Sequence, residues 1–138
     1  MKNVLFICSG NTCRSPMAEG ICNVLAARKG LAVSASSCGV AALEGRPATE
    51  EAIEAAAEYG ADLSGHSART VTPELCAGAD VIVCMTEGHA RAVQAAFGLP
   101  GEKFRVAGVP DPYGLGGSAY RACARAIADY CGALLEEL

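Results

Sequence analysis

The chain has 138 residues, of which 51% are hydrophobic and 19% charged, so it is neither disordered nor collagen-like, and it has room for one core. Its net charge of −4 comes without a basic block, which argues against binding nucleic acid through phosphate neutralisation. Alanine supplies about a fifth of the residues and aromatics only 5%, so small and β-branched side chains must fill the interior.

Val4-Leu5-Phe6-Ile7 is a continuous apolar run, expected for a parallel strand covered on both faces. The polar segment Cys8 to Ser15 follows, Pro16 suits a first helical turn, and a helix runs from Met17 to Arg28 with Gly30 as its stop. Leu31 to Ser37 reads as a second strand. Thr49 is placed to cap a helix that opens with Glu50 and Glu51 and stops at Gly60. Thr72-Pro73 begins a short helix, Asp80 to Cys84 is a third strand, Glu87 to Phe97 a helix, and Phe104 to Val106 a fourth strand. Ser118 is expected to cap a final helix reaching Glu136.

Strands alternating with helices predict an α/β fold: one three-layer domain over residues 1–138, with a four-stranded parallel sheet and helices on both faces. Two irregular stretches, Gly39 to Ala48 and Val109 to Gly117, are candidate site loops. No apolar run is long enough to cross a bilayer, and the short apolar start lacks a cleavage site; a soluble, cytosolic monomer with no membrane association is expected. Eight cysteines without CxxC pairs or Cys/His clusters predict no metal and no cofactor, and Cys22, Cys123 and Cys131 fall where reduced cysteine packs as a small hydrophobe.

Ligands of open α/β sheets bind beyond the carboxyl ends of the strands. There the sequence reads Cys8-Ser9-Gly10-Asn11-Thr12-Cys13-Arg14-Ser15-Pro16. A Cys, five residues and an Arg can wrap a loop so that backbone N–H groups converge on one anion, aided by the helix N-terminus. The Arg14 fork can grip two oxygens of a tetrahedral oxyanion, and the same field favours the thiolate of Cys8. Spacing alone is not specific. Cys22 and Arg28 repeat it inside a helical pattern, with no loop to cradle anything.

These residues resemble the signature C-x-G-N-x-C-R-S-P of the low-molecular-weight protein tyrosine phosphatases. Ser37-Cys38-Gly39 is similar to that family's S-A-G turn, His66-Ser67-Ala68-Arg69 to its H-x-A-R segment, and Asp111-Pro112-Tyr113 to its D-P-aromatic acid loop. The resemblance implies Cys8 as nucleophile through a phosphocysteine, Arg14 as clamp, and Ser15 as hydrogen-bond donor to the Cys8 sulfur. Asp111 would be general acid and then general base. Asn11, Ser15, Ser37 and His66 would fix the loop, and the partners would be phosphorylated proteins. His89 is read as a surface residue. For Cys13 the resemblance leaves two readings open: a disulfide with Cys8 that protects it from over-oxidation, or simple packing.

Tyrosine-specific members carry a bulky aliphatic where this chain has Thr12, and aromatic walls that Ser9 and Val40-Ala41-Ala42-Leu43 do not supply. Thr12 and the continuation Asp111-Pro112-Tyr113-Gly114 resemble the protein-arginine phosphatase branch. Tyr113 offers one face for a guanidinium, and Asp111 a carboxylate partner. Phosphoarginine is the favoured substrate and phosphotyrosine the alternative. A thioredoxin-coupled arsenate reductase would use Cys84 as a relay, but Arg91 stands where its next cysteine belongs, and Pro16 departs from that pattern. A non-catalytic phosphopeptide module would not need Cys8 and Asp111 together.

Overall fold

The computed structural model describes residues 1–138. Four parallel strands, β1 (Lys2–Cys8), β2 (Val33–Gly39), β3 (Val81–Cys84) and β4 (Phe104–Val106), lie in the order β2-β1-β3-β4. Five helices connect and close them: α1 (Arg14–Arg28), α2 (Glu50–Ala57), α3 (Pro73–Ala77), α4 (Glu87–Phe97) and α5 (Gly117–Glu137).

The period-2 alternation of a strand sends neighbouring side chains to opposite faces, and β1 divides accordingly. Val4, Phe6 and Cys8 join the larger core with α1, α2 and α5, whereas Leu5 and Ile7 join a smaller core with α3 and α4. The alanine-rich composition is spent on close helix contacts: Ala18, Ala26, Ala52, Ala55, Ala56 and Ala124 are all buried in the larger core. All eight cysteines are buried free thiols. Burial pushes Cys38, Cys84 and Cys123 up to about 12, so they behave as packing groups. No helix is long and apolar enough to cross a membrane.

Caps follow the sequence where a threonine precedes the helix. Thr49 Oγ1 accepts from Ala52 N at 3.2 Å, and Thr72 Oγ1 from Leu75 N at 3.1 Å. Several boundaries differ from expectation. Helix α1 starts at Arg14, not Met17, because the loop closes early enough to place Arg14, Ser15 and Pro16 in the first turn. Strand β2 begins two residues late: the chain still turns out of α1 at Leu31, whose N–H bonds Ala26 O, and the ladder opens only at Lys2 opposite Val33. Ser118 is not a cap. Gly116 occupies that position with φ 89°, a conformation glycine adopts freely, and Ser118 falls inside the first turn of α5.

The chain leaves β1 for β2 on one side and returns to β3 on the other. The carboxyl end of β1 is therefore the switch point where an open sheet of this kind forms its crevice. Cys8 is the last residue of that strand.

Candidate active site

Five carbonyls of the loop following β1 are claimed from outside it. Cys8 O accepts from Val40 N at 3.0 Å, Ser9 O from Ala41 N at 2.9 Å, Thr12 O from Thr49 N at 3.0 Å, and Cys13 O from Met17 N at 3.2 Å. Asn11 O accepts from His66 Nε2 at 2.7 Å, which fixes the ring proton on Nε2. The N–H groups of Ser9 to Cys13 donate to no protein acceptor. With carbonyls turned outward and N–H groups left over, the loop is a nest for one anion, and the unpaired N–H groups of the α1 start add to it.

Asn11 is the hinge of this arrangement. It alone among non-glycine residues has positive φ, 57°, in the left-handed region that asparagine tolerates better than most. Its side chain is fully used: Nδ2 donates to Ser15 Oγ (2.8 Å) and Ser37 Oγ (3.0 Å), and Oδ1 accepts from Arg69 N (3.0 Å). Ser37 Oγ passes its own proton to Glu19 Oε1 at 2.6 Å, and Arg69 Nε donates to Ser37 O at 2.9 Å. The Ser15 hydroxyl, 2.8 Å from Cys8 Sγ, accepts from Asn11 and keeps its hydrogen for the sulfur or for Cys38 O at 3.4 Å. Gly39 lets β2 approach this closely. A Cβ there would stand 2.5 Å from Ser9 O and 3.0 Å from Asn11 N, both backbone atoms that cannot give way.

The cleft above the loop has a volume of about 150 Å³ and is lined by Cys8, Ser9, Gly10, Thr12, Cys13, Arg14, Asp111 and Tyr113. Arg14, 4% exposed, donates from Nη1 to Val109 O at 3.0 Å and turns Nη2 toward Asp111 Oδ2 at 3.9 Å. The other Asp111 oxygen accepts from Tyr113 N at 3.1 Å. Tyr113 is 68% exposed, a ring at the rim with its face free.

The sequence-derived residues thus divide into those lining the cleft and those bracing it, Asn11, Ser15, Ser37 and His66. One expectation changes. His89 is not a surface residue: it is buried, with Nε2 2.8 Å from Ser9 Oγ and Nδ1 3.1 Å from Thr86 Oγ1, because the first turn of α4 packs against the loop. Cys13 Sγ lies 3.1 Å from the buried Tyr120 hydroxyl and 3.7 Å from Thr49 Oγ1. Burial and the Cys13 contact raise the Tyr120 phenol well above its ordinary range, keeping it a neutral partner.

Glu19 and Tyr120 have no role in the sequence reading, where Thr49 is only a helix cap and Arg69 only the end of the His66–Arg69 segment. Glu19 had a legible signal, standing one turn after Ser15 on the same helix face, whereas Tyr120 lies over a hundred residues from Cys13 and had none.

Residues 3–138 match the family model for low molecular weight phosphotyrosine protein phosphatase. A protein-arginine-phosphatase of Bacillus subtilis (strain 168) is 41% identical over 96 residues, 70% of this chain; the match spans 63% of that relative, less than two thirds of its length. The solved low molecular weight protein tyrosine phosphatase from T. tengcongensis superimposes with a TM-score of 0.95 at 38% identity, covering 100% of both chains. A mutant of the YwlE arginine phosphatase with a phosphorylated active-site serine gives a TM-score of 0.93 at 32% identity, over 99% of this chain and 95% of that one.

Proposed function

Because the chain belongs to the low molecular weight phosphotyrosine protein phosphatase family, we propose that it is a cysteine-dependent phosphoprotein phosphatase, with phosphoarginine as its preferred substrate. The observation that carries the enzymatic reading is the loop itself: its N–H groups from Ser9 to Cys13 have no protein acceptor, and Cys8, Arg14 and Asp111 line the same cleft.

The phosphoryl group binds with its oxygens on the loop N–H groups and the Arg14 fork, which places phosphorus above Cys8 Sγ. The thiolate attacks, the bond to the leaving atom breaks, and a phosphocysteine forms. Ser15 donates its hydrogen to the sulfur, stabilising it before attack and again as leaving group. Asp111, 55% exposed at its side chain, protonates the departing nitrogen or oxygen. The resulting carboxylate then takes a proton from the water that hydrolyses the intermediate, releasing phosphate and restoring Cys8. The phosphorylated serine of the related arginine phosphatase mutant supports this covalent route, since that residue lies at its active site.

Overall similarity does not choose the substrate, because relatives named for either activity superimpose almost equally well. Thr12 favours phosphoarginine. It lines the cleft with a short, polar side chain where a bulky aliphatic would narrow it. The opposite wall offers Tyr113 alone, and the loop after β2 contributes an exposed Leu43 and no ring, so a phenyl group would not be sandwiched. A planar guanidinium can stack on Tyr113 while Asp111 faces its N–H groups. Phosphotyrosine remains the second reading on the strength of the tyrosine phosphatase that matches over the whole chain.

Parallel assays on phosphoarginine and phosphotyrosine peptides test the choice. Thr12→Ile should lower kcat/KM on phosphoarginine by at least about tenfold while activity on an aryl phosphate holds or rises, as expected for a steric or polar change of ~1.4–3 kcal/mol. A wild type that strongly prefers phosphotyrosine, or a ratio that Thr12→Ile leaves unchanged, contradicts the arginine assignment.

A further inference from the structure

Ser9 stands in the cleft beside Cys8, and its hydroxyl has no role in the chemistry above. Its Oγ lies 2.8 Å from Nε2 of His89, the third residue of α4, which is 8% exposed. The other ring nitrogen, Nδ1, lies 3.1 Å from Thr86 Oγ1. Thr86 caps α4, so the same Oγ1 already accepts from the His89 backbone N–H at 3.3 Å.

A hydroxyl has one hydrogen to give, and Thr86 has a single side-chain acceptor within reach of it, Nδ1. With Nδ1 accepting, a neutral imidazole carries its proton on Nε2 and donates to Ser9 Oγ. Burial, reinforced by the Arg14 guanidinium and only partly opposed by Asp111, holds His89 below the usual histidine range, which keeps the ring neutral near pH 7. Ser9 then accepts from His89 and retains its own hydrogen, with no protein acceptor to receive it.

We propose that His89 is a positioning residue: the chain Thr86–His89–Ser9 turns the Ser9 hydroxyl into a hydrogen-bond donor aimed at a phosphoryl oxygen in the cleft. This rests on the phosphatase reading and deepens it, adding one side-chain donor to the backbone nest. The contact is charge-assisted, and it forms in the ground state as well as during transfer, so its loss falls mainly on binding.

The test uses inorganic phosphate as competitive inhibitor of aryl phosphate hydrolysis by the full chain. Ser9→Ala and His89→Ala should each raise the inhibition constant for phosphate about tenfold, with KM rising by a larger factor than kcat falls. The double variant should be no worse than the poorer single, since the two residues make one contact. His89→Gln, whose amide N–H reaches the Ser9 oxygen, should recover most of the affinity. An unchanged phosphate constant in Ser9→Ala overturns the proposal, as does a double variant whose effect is the product of the singles. A His89→Ala that lowers Tm but not phosphate affinity would make the histidine merely structural. A wild type that neither hydrolyses the ester nor binds phosphate would overturn the phosphatase reading itself, an outcome distinct from an active wild type whose variants match it.

Discussion

The loop of residues 8–14 and the loop of residues 109–117 face each other across one cleft, but they are held in different ways. The first has five carbonyls bonded outward, a buried asparagine with every side-chain atom engaged, and Arg14 buried against Val109 O. The second is exposed from Pro110 onward except at Pro112, and its acid is held by one backbone N–H and a distant ion pair. The division suits two tasks. An anion and a thiolate need fixed dipoles that do not reorganise during reaction, so the nest is over-determined even at the expense of a left-handed asparagine. An acid that gives up and regains a proton while leaving group and water exchange needs access, which a sparsely bonded loop supplies.

The largest expected effect separates the loops by activity alone. Asp111→Ala should lower kcat by roughly 10²–10⁴-fold on substrates with poor leaving groups, the usual worth of a general acid, while Tm stays within about a degree of wild type. A matching loss of Tm in differential scanning calorimetry would mean that the acid loop is structural after all.

Next comes a change in the nest. Asn11→Ala removes three side-chain hydrogen bonds, two of them buried, and leaves alanine at positive φ, so it should cost about 2–4 kcal/mol of stability as well as activity. Urea denaturation measures this. A variant as stable as wild type but inactive would show that the network serves chemistry only.

The smallest effect reports on the contact between α4 and the nest. His89 is held below its ordinary value of about 6.5 in the fold, chiefly by burial. On acidification the unfolded chain therefore takes up this proton first. The stability that the neutral ring contributes is complete above that value and declines as pH falls toward the folded-state one. Between pH 7.5 and 5.5 the Tm of wild type should fall further than that of His89→Gln; equal falls would contradict the assignment of a neutral, buried ring.

Much of this was legible in the sequence, for physical reasons that also mark where it was not. The β1 run and the threonine caps are local signals, read within a few residues, and they hold at Val4–Ile7, Thr49 and Thr72. The loop after β1 carries its chemistry in consecutive residues, so Cys8, Asn11, Arg14 and Ser15 could be placed together before any fold was known. The burial of His89 is not legible because an exposed and a buried first helical turn look alike in sequence; only the packing of α4 against the loop distinguishes them. Strand β2, polar at Ser34 and Ser36 on the sheet edge and at Ser37 where it braces the loop, gives a weak pattern, and its start is set by the register with β1. Tyr120 reaches Cys13 only through tertiary folding.

In the proposed reaction the phosphoryl group passes through Cys8. Rapid quench of Asp111→Ala with a radiolabelled aryl phosphate that has a good leaving group measures it directly, because the missing base slows hydrolysis of the intermediate. The expected result, with the quench made in alkaline denaturant, is alkali-stable and acid-labile label approaching one equivalent per chain, mapped to the peptide containing Cys8 and absent when Cys8→Ala is added. Turnover by wild type with no covalent label at any quench time, or with label on another residue, would contradict it.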